Sequence, residues 1–227
     1  MPVFLSSVFF VLAFAATAEC VFPMPLATGV LKSLPALYLT GVALAYTRPR
    51  FRWWVVAGIV CGAMGDYSLS SAERTWFMAG LGSFLVGHVA YSIAFAKDLR
   101  LTAARGVLIF AVLLGMALLV AATCFRVVRQ GEAGLALPII VYVSIMSVMM
   151  TIAVLHRSST WFIAAGAVIF VISDAHIAIN YMLLEHSRLG LAISGYATYY
   201  AAQYFLVAGA AHETRAALAL RRAEMPH

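Results

Sequence analysis

Apolar residues come in runs along this chain, each closed by a short break that gathers the charges. The runs fall at roughly 3–20, 26–46, 53–71, 76–96, 106–125, 134–155, 160–183 and 190–211. A helix rises about 1.5 Å per residue, so about 20 apolar residues cross the ~30 Å hydrocarbon core of a bilayer. Every run is near that length. The pattern predicts an all-α, polytopic membrane helix bundle of about eight transmembrane helices, forming a single integral membrane domain over residues 1–227.

The breaks also predict an orientation. With eight crossings both termini share one side, together with Arg48, Arg50, Arg52, Lys97, Arg100, Arg105, Arg157, Arg215, Arg221 and Arg222. The other side holds Arg74, Arg126, Arg129 and Arg188. Ten against four places both termini in the cytoplasm. Losing or adding one helix would scramble this alternation. In a bacterium the membrane would be the cytoplasmic (inner) one. Ala16-Thr17-Ala18 resembles a signal-peptidase site, but no Lys or Arg precedes the first run, so it is read as a retained helix. Pro35, inside the second run, is expected to kink it.

Composition supports the same class. The chain is 64% hydrophobic and 11% charged, whereas soluble domains carry about 25% charge. Its net charge of +6 comes from scattered loop residues with no basic motif, which argues against nucleic acid. Cys20, Cys61 and Cys124 are odd in number and widely spaced, fitting small buried apolar residues better than a disulfide or metal framework. Met146, Met149 and Met150 read as core, and no soluble domain is visible.

Candidate chemistry lies in the exceptions. Lys32, Asp66 and Asp174 are the charges placed well within apolar runs. A carboxylate at mid-bilayer costs about 2.5–3.5 kcal/mol on insertion scales, so such residues mark functional cavities or buried pairs. With the predicted orientation, Lys32, Asp66 and Asp174 lie in the outer half, and His88 and Gln203 near the midplane. Five helices thus bring polar groups to one band of depth.

Helical phase groups them further. Gly58, Gly62 and Asp66 repeat every fourth residue and form a small-residue face for a close neighbour. Gly80, Phe84, His88 and Tyr91 make one stripe, and Tyr196, Tyr199, Tyr200 and Gln203 another. On the seventh run Ser173, His176 and Asn180 share a flank, with Asp174 about 100° from Ser173. His176 and Asn180 fit structural hydrogen bonding equally well, as does an isolated His88.

The segment Gly62-Ala63-Met64-Gly65-Asp66-Tyr67-Ser68-Leu69, followed by Phe77-x-x-Gly80-x-x-x-Phe84-x-x-x-His88-x-x-Tyr91, resembles the signature of the YhhN family. Gly166-x-x-x-Phe170-x-x-Ser173-Asp174 is similar to that family's second motif. Lys32, Tyr142 and Tyr199-Tyr200-Ala201-Ala202-Gln203 fit its other landmarks, and Lys32-Ser33-Leu34-Pro35 departs from the Lys-Pro pair expected there. The resemblance implies a lysoplasmalogenase-like hydrolase that cleaves the vinyl ether bond of lysoplasmalogens, with a lysophospholipid substrate drawn from membrane lipid.

Two buried acids suit that reaction. One protonates the β-carbon of the vinyl ether; the other stabilises the oxocarbenium ion and takes a proton from water, as in glycoside cleavage. Asp66 and Asp174 are the expected catalytic pair. Lys32 would hold the phosphate or balance the acids, while His88, Tyr91, Ser173, Tyr200 and Gln203 would orient water or glycerol. Neither a cofactor nor a metal is expected. Three other classes use comparable residues. An aspartyl intramembrane protease needs a GxGD motif, which Ala63-Met64-Gly65-Asp66 does not supply. A zinc-dependent lipid hydrolase would use His88, His176, Asp66 and Asp174, without HxxxH or HExxH spacing. A proton-coupled transporter would show paired halves, which the chain lacks. Chain length, headgroup and oligomeric state are left open.

Overall fold

The computed structural model describes residues 2–23, 28–71, 73–184 and 187–223, without the side chains of residues 50, 181 and 220–223. Pro25, the first two positions of the second predicted run and Glu185 lie outside the described residues, as do the side chains of Arg50, Arg221 and Arg222. Among the described residues there are eight α-helices. These are α1 (Val3–Ala18), α2 (Thr28–Tyr46), α3 (Pro49–Ser68), α4 (Arg74–Phe95), α5 (Ala103–Arg129), α6 (Ala136–Leu155), α7 (Phe162–Ala178) and α8 (Leu189–Ala223). All eight predicted runs are helical.

Boundaries moved where polar residues favour helix. Pro49 opens α3 from its first turn, where a missing N–H costs nothing, so the Arg-rich break is drawn into the helix. α8 runs 35 residues, continuing past its apolar stretch into a charged C-terminal portion. α7 is shorter than its run because it passes into a π-helical turn at Ile179–Leu183, a distortion frequent at functional sites. α2 stays helical through Pro35, which is buried within it. α2, α4, α5 and the stretch Ala133–Leu155 are long and apolar enough to cross a membrane, with α1 and α7 shorter apolar helices. The chain is a membrane protein.

The neighbour relations describe a ring. α2 packs on α3, α3 on α4, α4 on α6, α6 on α7, α7 on α8, and α8 back on α2. α1 lies against α2 and α8, and α5 lies outside against α6 and α7. The α3–α4 and α7–α8 pairs pack most extensively, and glycines of α3 admit close neighbours from α4 and α8. A Cβ on Gly58 would stand 2.7 Å from the Tyr91 ring of α4, and one on Gly62 2.6 Å from Gln203 of α8. Both positions therefore require the absent side chain, as the small-residue face predicted. Met146, Met149 and Met150 are buried core residues. The cysteines are corrected: Cys20, Cys61 and Cys124 are free and only half-buried.

Candidate active site

α3, α4, α7 and α8 enclose a cavity of about 390 Å³. Asp66 enters it from α3, Ser173 and Asp174 from α7, and Tyr196 and Tyr199 from α8. Arg74, at the start of α4, forms part of its wall, and its guanidinium pairs with Glu132 at 3.0 Å. The two aspartates separated by 108 positions in sequence therefore share one cavity.

Their surroundings differ. Asp174 Oδ2 accepts a hydrogen bond of 2.6 Å from the Tyr142 hydroxyl and lies 3.4 Å from His88 Nε2. His88 Nε2 also lies 3.2 Å from the Tyr142 oxygen. Because Tyr142 donates to Asp174, Nε2 is the nitrogen that donates to Tyr142. His88 Nδ1 is buried without a hydrogen-bond partner, which suits an unprotonated nitrogen better than an N–H. Asp174 thus accepts from a phenol that is itself in contact with the imidazole of His88.

Asp66 is 2% exposed, and its Oδ2 has no hydrogen-bond partner. Its hydrogen-bonding neighbour is the Tyr199 hydroxyl. Behind Tyr199, Gln203 Nε2 donates to the Tyr199 oxygen at 3.2 Å, and the Tyr91 hydroxyl donates to Gln203 Oε1. Asp66, Tyr199, Gln203 and Tyr91 thereby form one buried chain of polar groups across α3, α8 and α4. With one oxygen unmet, a neutral carboxyl carries the smaller burial penalty at Asp66.

Of the residues expected at the site, Asp66, Asp174 and Ser173 line the cavity, and Ser173 Oγ donates to the Gly195 carbonyl at 3.1 Å. His88, Tyr91 and Gln203 do not line it; His88 lies against Asp174 and Tyr142, and Tyr91 and Gln203 join to Tyr199. Tyr200 is corrected: its hydroxyl donates to the Lys32 carbonyl at 2.8 Å, and Tyr199, about 100° round the helix, faces the cavity instead. Lys32 does not line the cavity, and its ammonium pairs at 3.1 Å with Glu19, the side chains being 12% and 4% exposed. That ammonium also sits 4.7 Å from the ring of Tyr196, a residue of the cavity wall. Lys32 therefore balances Glu19 directly, and its charge also acts on Asp66.

Glu19 escaped the sequence reading because it stands at the end of the first run, where an acid looks interfacial; in the structure it is 5% exposed. Tyr142 was legible as a landmark on α6 but not as the donor to Asp174. His176 and Asn180 line the same cavity as Asp174, although helical phase sets His176 away from it. Asp174 stands at the cavity's edge, so the wall includes both flanks of α7. Asn180 Oδ1 accepts the Arg188 N–H at 2.6 Å, a structural bond that closes the α7–α8 connection. Among the described residues no three His, Cys, Asp or Glu side chains converge as metal ligands would.

The relatives bear on this arrangement. A lysoplasmalogenase of Mycobacterium bovis (strain ATCC BAA-935 / AF2122/97) is 32% identical over 182 residues, 78% of this chain and 68% of the relative. A lysoplasmalogenase of Mycobacterium tuberculosis (strain CDC 1551 / Oshkosh) matches to the same extent. No solved structure matches. The model of the YhhN family matches residues 27–210, which contain both aspartates and every wall of the cavity, and the chain belongs to that family.

Proposed function

We propose that this protein is a lysoplasmalogenase-type hydrolase, cleaving the vinyl ether of a lysophospholipid to a fatty aldehyde and a glycerophospho-alcohol. The observation that carries the reading is the meeting of Asp66 and Asp174 at one cavity in a chain related to lysoplasmalogenases.

The unequal surroundings of the acids support different roles for them. Asp66, the neutral carboxyl, gives its proton to the β-carbon, and the α-carbon and ether oxygen share the resulting positive charge. Asp174 is the carboxylate that stabilises this oxocarbenium ion and accepts a proton as water adds to the α-carbon. The hemiacetal then loses its hydroxyl proton as the carbon–oxygen bond to glycerol breaks. The glycerol oxygen takes up a proton, the aldehyde leaves, and one proton returns to Asp66. Tyr142 and His88 orient Asp174, while Tyr199 fixes Asp66. Arg74, at the wall of the cavity and paired with Glu132 on its exposed side, is the cation a phosphate would meet there. The enzyme is read as multi-pass, with both termini cytoplasmic and the Arg74 end of the cavity toward the opposite face.

Aldehyde release from 1-alkenyl-lysophosphoethanolamine by purified protein in lipid nanodiscs tests the reading. Release that survives chelator, and stops in both Asp66→Asn and Asp174→Asn, supports it. Full turnover in either variant removes the two-acid mechanism, and loss with chelator alone favours a metal-dependent hydrolase.

A further inference from the structure

Asp174 also faces a second space. On its other side a groove of about 600 Å³ runs between α4 and α5, with α6 and α7 as its floor. It exists because α5 packs on α6 and α7 but makes no packing interface with α4. Its wall is almost wholly aliphatic, and Asp174 is the one charged residue in it. Asp174 and Ile177 belong to both spaces and divide them.

The groove has a tail's dimensions. Its α5 wall extends from Val112 to Thr123, which at about 1.5 Å per residue is roughly 16 Å. One leaflet's share of a ~30 Å hydrocarbon core is about the same. The volume lies within the ~300–1,000 Å³ typical of ligand sites. One chamber is thus apolar and as long as a leaflet; the other is polar and includes Arg74. The reacting carboxylate stands at their junction, as the bond between tail and headgroup of a single-chain amphiphile does.

We propose that this groove holds the hydrocarbon tail of the substrate and that Gly115 sets how long a tail it accepts; the proposal rests on the lysoplasmalogenase reading. Gly115 lines the groove beside Met116, whose sulfur accepts from Ser147 at 3.6 Å. Ser147 is five positions beyond Tyr142 on α6, or about 7 Å further along the helix. Gly115 therefore lies past Asp174, toward the Val112 end of the groove. A Cβ there meets nothing within 4 Å, so a larger side chain enters open space without disturbing the packing. The glycine leaves room that the terminal methylenes of a long tail fill, and each buried methylene adds to affinity.

The test compares long- and short-tailed alkenyl lysolipids with wild type, Gly115→Leu and Gly41→Leu. Gly41 also has nothing within 4 Å of its Cβ, but it lies on α2, away from the groove, and controls for added bulk on an open helix face. Gly115→Leu is expected to lower the ratio of kcat/KM for long over short tails about tenfold, with Gly41→Leu leaving that ratio at the wild-type value. An unchanged ratio in Gly115→Leu overturns the proposal. Binding of non-cleavable alkyl-ether lysolipids of the same two lengths separates the tail site from the activity. A length preference that Gly115→Leu alone removes sustains the groove even if no cleavage is seen. Affinities that do not depend on length overturn it even if cleavage is fast.

Discussion

The two sides of Asp174 are built on opposite principles. Toward α3 and α8 the interior is crowded and polar: Gly58 and Gly62 admit rings and amides at distances where a Cβ would collide, and buried hydrogen bonds join Tyr91, Gln203, Tyr199 and Asp66. Toward α5 it is open and aliphatic, with glycines that touch nothing. The difference teaches where order is needed. In the proposed mechanism an acid that delivers a proton to one carbon atom has to be fixed, and Tyr199, backed by Gln203 and Tyr91, holds Asp66. A flexible tail needs apolar room and gains nothing from a rigid polar wall.

Substitutions on the two sides should therefore differ in size, and six of them can break or sharpen the contrast. The largest effect belongs to the acids: Asp66→Asn and Asp174→Asn should each lower kcat about a thousandfold while the protein stays folded, read by aldehyde release beside circular dichroism. Next comes the Glu19–Lys32 pair that backs the crowded side. Lys32→Ala removes the cation paired with the buried Glu19 carboxylate and should cost about 3 kcal/mol in detergent denaturation, with part recovered in Lys32→Ala/Glu19→Gln. Gly58→Val drives a side chain into Tyr91 and should destabilise by about 2 kcal/mol, read in the same denaturation. Tyr142→Phe removes the donor to Asp174 and should reduce kcat about tenfold with little change in KM. Smallest is Phe110→Leu on α5, 69% exposed in the isolated chain, which should leave denaturation within about 0.5 kcal/mol. A cost there as large as that of Gly58→Val would erase the contrast.

Much of the molecule was readable from residue order because solvent class writes itself into sequence. Lipid demands long apolar runs, so every helix and its approximate span followed, and an acid within such a run had to be significant. Periodicity also placed Gly58, Gly62 and Asp66 on one face before any neighbour was known. It could not choose between Tyr199 and Tyr200, because both fit a stripe and only the angle of α8 against α3 decides which one meets Asp66. Nor could it see that Lys32 is already matched, since Glu19 belongs to another helix.

What the sequence determined by itself is the membrane-helix class, the eight helices, the two acids and the family likeness, all consequences of composition, spacing along a helix and motif order. Tertiary structure decided that Asp66 and Asp174 share a cavity, that Tyr142 and His88 serve one while Tyr199 serves the other, and that a groove opens beside α5. The physical reason is that a helix fixes the direction of its own side chains only relative to its axis. Which side chains meet across axes depends on the rotation and separation of packed helices, and these are set by the sum of all contacts rather than by any local stretch.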